Sequence, residues 1–339
     1  MIKINNIRNP LCFCVFVSIL LNYCTKEPVY HQVQSTRFAM GTIIEMTVLD
    51  TSESKANKAI DEAFNEILRI ASLFYEGNPQ SPLYAFNNRK NNETSMPVEV
   101  LELIQRSLNV SEKTDGAFDI TVGALLPLYR FSGDSLIPPD SSTVKELLPF
   151  VGYKNLKINH KKSTLITMYS KTRITTGGIA KGYAVDRAID ILSEKGIAGA
   201  LVNAGGDLRV IPRKDKKPWR VGIQNPRKEN DIINVIKISN GAVTTSGDYQ
   251  KYYFYKSRRI HHILNPETGF PADSCQSVTV IAPTTELADA LATGLFVAGV
   301  TAGLEIIKKY PNCEALWVRA DGKTFMSKGF PIYLCKGWR

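Results

Sequence analysis

The chain has 339 residues, is 44% hydrophobic and 22% charged, and carries a formal net charge of +10. These values exclude a disordered or collagen-like polypeptide and leave enough apolar material for a sizeable core in one large domain or two. The positive surplus suits an anionic ligand or an anionic membrane surface; no basic run interleaved with aromatics marks a nucleic-acid binder, so no nucleic acid is expected as a partner.

Lys3 and Arg8 make a charged start, and Leu11 to Leu21 form an apolar run interrupted only by Ser18. The run is shorter than the roughly 20 residues a spanning helix needs, and fits the central part of an export signal over residues 1–23. Cys24 follows it, in the place of the lipid-acceptor cysteine of bacterial lipoproteins, although Asn22 and Tyr23 are bulkier than the small residues usual there. Lipidation at Cys24 is the expectation, with a retained hydrophobic anchor as the alternative; residues 24–36, polar and aperiodic, read as a tether. Such a chain is exported and membrane-anchored, facing the periplasm.

Beyond the tether, Thr42 to Leu49 alternates as a strand, with Ile44, Met46 and Val48 on one face. Ile60, Ala63, Phe64, Ile67, Leu68 and Ala71 recur at helical spacing. After breaks at Asn78-Pro79 and Ser81-Pro82, a second helix is expected over Val98–Lys113, with Val100, Leu103, Ile104 and Leu108 inward. Ser142 is a candidate cap for a short helix through Leu147. Strands follow at Leu156–Ile158, Leu165–Tyr169 and Thr172–Thr175, with His160-Lys161-Lys162 a solvated turn. A helix then spans Lys181–Lys195, and Gly199–Val210 reads as strand, glycine turn, strand. Trp219–Gln224, Ile232–Ile238, Ala242–Thr245, Gln250–Tyr255 and Val278–Ile281 read as a continuation of the sheet. Helices over Leu287–Val297 and Thr301–Lys309 precede strands at Leu316–Arg319 and Thr324–Met326. Strands and helices mix without strict alternation, so the fold class is α+β, with mixed sheets and packed helices.

The richest local pattern is Thr176-Gly177-Gly178-Ile179-Ala180-Lys181-Gly182, which runs into the Lys181–Lys195 helix. Glycines at a helix start expose main-chain N–H groups and the positive helix end to a phosphate. The spacing is neither the dinucleotide fingerprint nor the P-loop. Asp289 and Thr293 stand four apart on a helix, which stacks a carboxylate and a hydroxyl on one face. They are hard oxygen donors suited to Mg²⁺, or else a helix-face Asp with a Thr bonded back to the main chain. His262, before Asn265-Pro266, is placed to orient a phosphate or transfer a proton, or is bonded within its own turn. In Asp115–Asp119, Phe118 offers a ring and Asp119 a hydrogen-bond acceptor, or they are a helix stop and a core residue. Asn203–Asp207 and Thr244–Tyr249 are further Gly- and Asp-bearing strand-end turns. Cys275, Cys313 and Cys335 show no CxxC or zinc spacing; two of them pair, or all are buried thiols.

Taken in order, Phe38–Thr42, Tyr75, Asp115–Thr121, Gly177–Asp186, Asn203–Asp207, Thr245–Tyr249, His262–Gly269 and Ala288–Thr293 resemble the FAD:protein FMN transferase family, the ApbE-type flavin transferases. The resemblance implies a single catalytic domain over residues 37–339 behind the export signal. It implies FAD as substrate with Mg²⁺ on its pyrophosphate. A Thr or Ser hydroxyl of a partner flavoprotein, such as a membrane redox-complex subunit, attacks the FMN-side phosphorus and AMP leaves. By motif match, Asp289, Thr293 and the Gly178 carbonyl are metal ligands. Met40, Tyr75, Ala117, Phe118, Asp119, Thr175, Lys181 and Ile263 contact FAD, and His262 serves catalysis. Two positions depart from the family pattern: Thr175 stands where a carboxylate is usual, and Asn265 replaces an Asp. The same residues would serve FAD hydrolysis to FMN and AMP, and the two departures are compatible with a non-catalytic FAD-binding lipoprotein.

Overall fold

A computed structural model describes residues 28–133, 136–335 and 337. The export signal, Cys24 and the start of the tether lie outside the described residues. The remainder of the tether does not stay free: β1 (His31–Ala39) pairs residue for residue with β2 (Thr42–Asp50). Its polar side chains obscured the strand in the sequence because they lie on an exposed sheet edge. Met40 and Gly41 join the two strands, both at positive φ, the two-residue turn whose twist matches a hairpin.

Helix α1 (Glu53–Phe74) is capped by Ser52, whose hydroxyl accepts from the Lys55 N–H, and it buries Ile60, Ala63, Phe64 and Ile67. Two short elements unread in the sequence follow, α2 (Pro82–Asn87) and β3 (Glu93–Ser95). The expected second helix appears as α3 (Val98–Lys113), burying Val100, Leu103 and Ile104. Helix α4 (Ser141–Leu147) is capped by Asp140, not by Ser142, because the Asp140 carboxylate accepts from the Thr143 N–H. Strands β4 (Leu156–Asn159) and β5 (Thr164–Thr167) join β3 in a small separate sheet. Thr172–Thr175, expected as a strand, joins no ladder. Asn87 brackets Ile174 there through its amide, and the Thr175 N–H bonds the Ile120 carbonyl.

Next come α5 (Ala180–Glu194), β6 (Gly199–Ala204), β7 (Asp207–Ile211), β8 (Trp219–Gln224), β9 (Ile232–Ile238) and β10 (Gly241–Gly247). The chain continues through β11 (Tyr252–Tyr255), β12 (Arg258–His261), β13 (Cys275–Ala282), α6 (Thr285–Lys308), β14 (Glu314–Arg319) and β15 (Thr324–Met326). The main sheet has eight strands in the order β1-β2-β6-β7-β10-β13-β14-β15, every neighbouring pair antiparallel. The strands read as its continuation, β8, β9 and β11, leave it instead. β8 and β9 form a ribbon whose Trp219, Ile223, Ile236 and Ile238 pack with Leu208, Val210, Val243 and Ile281 of the sheet. Alternation shows that a strand has an apolar face but not which partner covers it. β11 and β12 form a second ribbon over Leu125, Tyr129, Val144 and Leu264.

The other sheet face carries α1, α5 and α6, whose apolar sides form the largest core cluster. α6 is long and apolar enough to cross a membrane, yet most of it is buried inside the fold, which explains its composition. Its helical geometry breaks at Gly299 (φ 71°), so the two helices expected there meet at a kink. Cys275, Cys313 and Cys335 stand as free thiols.

α5 and α6 approach so closely that a Cβ on Gly182 would lie 2.7 Å from the Thr285 carbonyl carbon and 2.9 Å from the Glu286 Cα. Neither backbone can yield without shifting a helix. Gly182→Ala is therefore expected to destabilise the fold by about 1–3 kcal/mol, the cost of overpacking, against the usual gain of alanine in a helix. Chemical denaturation of the two proteins side by side measures it.

Candidate active site

The glycine segment becomes a tight turn into α5. Thr175 Oγ1 accepts from the Gly177 N–H at 3.2 Å, and the Thr176 carbonyl accepts from Ile179 and Ala180 at 3.0 and 2.8 Å. No side chain caps α5 from its own N-cap residue, Ile179. The Asp289 carboxylate on α6 supplies a partner instead, accepting from the Gly182 N–H at 3.2 Å. Thr293, one turn along α6, lies against the same turn: a Cβ on Gly178 would sit 3.1 Å from its Oγ1. Gly178, Asp289 and Thr293 are thus brought together, as expected. The Thr293 hydroxyl also meets Ser246 Oγ of β10 at 3.3 Å.

Asp289 is buried, and burial pushes its carboxyl above the usual range while the Lys181 charge and the Gly182 N–H oppose the shift. A carboxylate removed from water beside two hydroxyls and a glycine main chain is a set of hard oxygen donors that fits Mg²⁺. Among the described residues no three His, Cys, Asp or Glu side chains gather into a metal cage. A cation held by this oxygen set would accordingly keep coordination positions for water or phosphate oxygens.

Lys181 extends from the first turn of α5 and its ammonium meets the Asp207 carboxylate at the start of β7. Burial pushes its pKa down, Asp289 opposes, and the Lys251 charge adds to the fall, although a quarter of the side chain reaches solvent. Asp207 is placed by the Gly205-Gly206 turn, where both residues have positive φ. Gly205 lies directly against Thr42, which brings the β1–β2 turn and Met40 up to the same corner.

His262 follows β12. Its main-chain N–H and its Nδ1 both point at the Lys251 carbonyl, at 3.2 and 3.3 Å. A carbonyl only accepts, so the proton sits on Nδ1 and Nε2 keeps its lone pair. Burial pushes the imidazole down to about 4, and the His261, Lys251 and Lys181 charges act in the same direction against the Lys251 hydrogen bond. The ring is neutral at pH 7 and able to accept a proton. His261 points the other way: Nε2 donates to the Ala272 carbonyl at 2.7 Å and Nδ1 accepts from the Ile263 N–H. It is a core residue packed edge-on against Phe296.

The residues expected at FAD divide by exposure. Tyr75, at the C-terminal end of α1, has a 63% exposed side chain. It sits beside the glycine turn because the Thr176 hydroxyl donates to the Phe74 carbonyl. Met40, Ala117, Thr175 and Lys181 are partly buried at the surface. Phe118, Asp119 and Ile263 are buried. Phe118 offers no open stacking face: it is 3% exposed, with its ring edge against Gly178 and its Cβ against Gly294. Asp119 accepts from the Thr121 N–H and hydroxyl through one oxygen and from the Tyr153 N–H through the other, so it ties its own turn to the segment before β4. These two residues shape the wall from behind. Asn265 accepts from the Glu267 N–H through Oδ1, a turn-forming role that Asn and Asp fill equally well.

Three partners in the site were given no individual role from the sequence. Asp207 and Ser246 lie in the Asn203–Asp207 and Thr244–Tyr249 turns singled out there, whereas nothing marked Lys251. Cavities of about 320 and 580 Å³, one between α3 and α6 and one beside β12, are lined by none of Gly178, Asp289 and Thr293.

The ApbE family model matches residues 40–317. A FAD:protein FMN transferase from Haemophilus influenzae is 29% identical over 91% of this chain and 92% of its own length. One from Escherichia coli K12 is 32% identical over 69% of each. Among solved structures, the ApbE protein of Thermotoga maritima is similar with a TM-score of 0.82 and 34% identity, covering 91% of this chain and all of that one. The flavin transferase ApbE of Vibrio cholerae is similar with a TM-score of 0.77 and 26% identity, covering 90% of this chain and all of that one. The family model and the solved structures agree: the chain belongs to the ApbE family.

Proposed function

We propose that this protein is a Mg²⁺-dependent FAD:protein FMN transferase acting on a Thr or Ser hydroxyl of a partner flavoprotein. The observation that carries the reading is the meeting of Asp289, Thr293 and the Gly178 main chain at the start of α5, with Lys181 and the free Nε2 of His262 alongside. Asp289, Thr293 and the Gly178 carbonyl would hold the cation, which neutralises pyrophosphate charge when bound. Lys181 adds a second positive charge, and the exposed Tyr75 ring offers a stacking surface for the flavin.

In the reaction the acceptor hydroxyl oxygen forms a bond to the FMN-side phosphorus. The bond from that phosphorus to the bridging oxygen breaks, and AMP leaves with the electron pair. His262 Nε2 takes the hydroxyl proton. A base near 4 is weak by itself, but the negative pyrophosphate beside it raises its proton affinity where it is needed. Positioning and charge neutralisation supply most of the rate in such transfers. Water in place of the hydroxyl would give FMN and AMP from the same residues.

The protein incubated with FAD, Mg²⁺ and purified candidate acceptor flavoproteins should leave denaturation-resistant flavin fluorescence on one of them. No label across several acceptors would overturn the reading. Asp289→Ala should abolish labelling, whereas Thr175→Asp should retain it, because an Asp oxygen can also accept from the Gly177 N–H.

His262→Asn should slow transfer by about 10²–10⁴-fold with FAD affinity little changed. In the wild type the rate should fall on acidification, as His262 becomes protonated in the FAD complex. An unchanged acid limb in the variant would remove His262 from the base role.

The amino-terminal pattern supports export and lipid attachment at Cys24, which would hold the enzyme at the membrane near its acceptor. Metabolic labelling with a radioactive fatty acid should mark the wild type and not Cys24→Ala. Equal labelling of both would exclude that cysteine.

A further inference from the structure

The outermost strand of the main sheet has one open side. Among the described residues β1 pairs only with β2. Ala39 and Thr42 close the hairpin as a hydrogen-bonded pair, so His31, Val33, Ser35, Arg37 and Ala39 direct their main-chain groups at β2. The N–H and C=O groups of Gln32, Gln34, Thr36 and Phe38 point outward. All four residues are exposed, and no main-chain partner reaches them among the described residues.

Exposed edges are commonly blunted by a proline, a bulge or an outward lysine. β1 has none of these. Its register with β2 is unbroken over the strand, and its cation, Arg37, is turned onto the Phe64 ring and the Asp61 carboxylate of α1. The edge leads towards the site. Phe38 (72% exposed) stands opposite Ile43 (56% exposed) as an apolar pair at the hairpin end. Beyond them come the Met40-Gly41 turn, Thr42 packed on Gly205, and Asp207 holding Lys181.

The geometry points to β1 as the docking strand for the acceptor polypeptide, an inference that rests on the transferase reading above. The acceptor segment bearing the Thr or Ser adds to β1 as an extended strand. Its main chain bonds the outward groups of Gln32 to Phe38, and its apolar side chains rest on Phe38 and Ile43. Strand addition draws affinity from main-chain hydrogen bonds and leaves specificity to a few side-chain contacts. It also leads the acceptor along a rigid edge to the Met40-Gly41 turn, next to Thr42, which packs on Gly205.

The test uses the purified acceptor that the wild type labels in the fluorescence assay. Gln34→Pro and Thr36→Pro each delete one outward N–H, at positions where an edge strand tolerates proline. Each should raise the KM for the acceptor about tenfold, the worth of one or two main-chain hydrogen bonds, with FAD affinity by flavin fluorescence unchanged. Gln34→Ala and Thr36→Ala, which keep the N–H, should match the wild type. If a proline variant fails to fold, Phe38→Glu and Ile43→Glu on the same edge should raise the acceptor KM instead. A wild-type KM in folded proline variants overturns the docking role and leaves the transferase reading standing. So does a wild-type dimer that the prolines dissociate without changing that KM, which would make the edge a contact between copies. A wild type that labels no acceptor refutes the transferase reading, and this inference with it.

Discussion

Two carboxylates lock α5 and α6 together, each serving the other helix. Asp186 on α5 accepts from the Thr285 and Glu286 N–H groups at the start of α6, both at 2.8 Å, and is paired with Arg209 at 2.8 Å. Asp289 on α6 accepts from Gly182 in the first turn of α5. Two helix N-termini, each with unsatisfied donors and a positive end, are joined by exchanged anions. The exchange requires close approach, which is why position 182 carries no side chain. Everything at the site inherits this geometry, because it sets Gly178 against Thr293 and leaves Asp289 facing Lys181.

The arrangement has an electrostatic cost. Burial pushes both Asp186 and Asp289 above the usual carboxylate range. Arg209 offsets that cost for Asp186. Asp289 has the more distant Lys181, whose own ammonium is engaged by Asp207. A buried anion with incomplete compensation is a natural place for a divalent cation, and the cation in turn creates a place for a pyrophosphate. Under the proposed function the site would be an alternation of charge in which each layer prepares the next: helix ends, carboxylate, then cation and phosphate.

Much of this was legible. α3 lies where its apolar period placed it, and the four-residue spacing of Asp289 and Thr293 stacks them on one helix face as helical geometry demands. Illegible were the partners supplied from a distance. Asp186 reads as an ordinary helix residue until the start of α6, about a hundred residues later, is folded onto it. Ser246 reads as part of a strand-end turn until Thr293 arrives beside it. Phe118, an apparent stacking ring, proves to be a buried support behind the glycine turn. β8 and β9 alternate as sheet strands do, but their pattern does not say that they cover the sheet rather than extend it.

By itself the sequence determined the helices with strong apolar periods, the flexible glycine turn, the types of donor atom available and the family to which those motifs belong. These are local properties, set by side-chain chemistry within a turn or two of backbone. Only the tertiary structure decided which of those donors meet, that Asp119 ties its turn to Tyr153, that His262 holds its proton on Nδ1, and that β1 is an open edge. These depend on contacts between residues far apart in the chain, and hydrogen bonds and burial at such distances leave no period or spacing in the sequence to read.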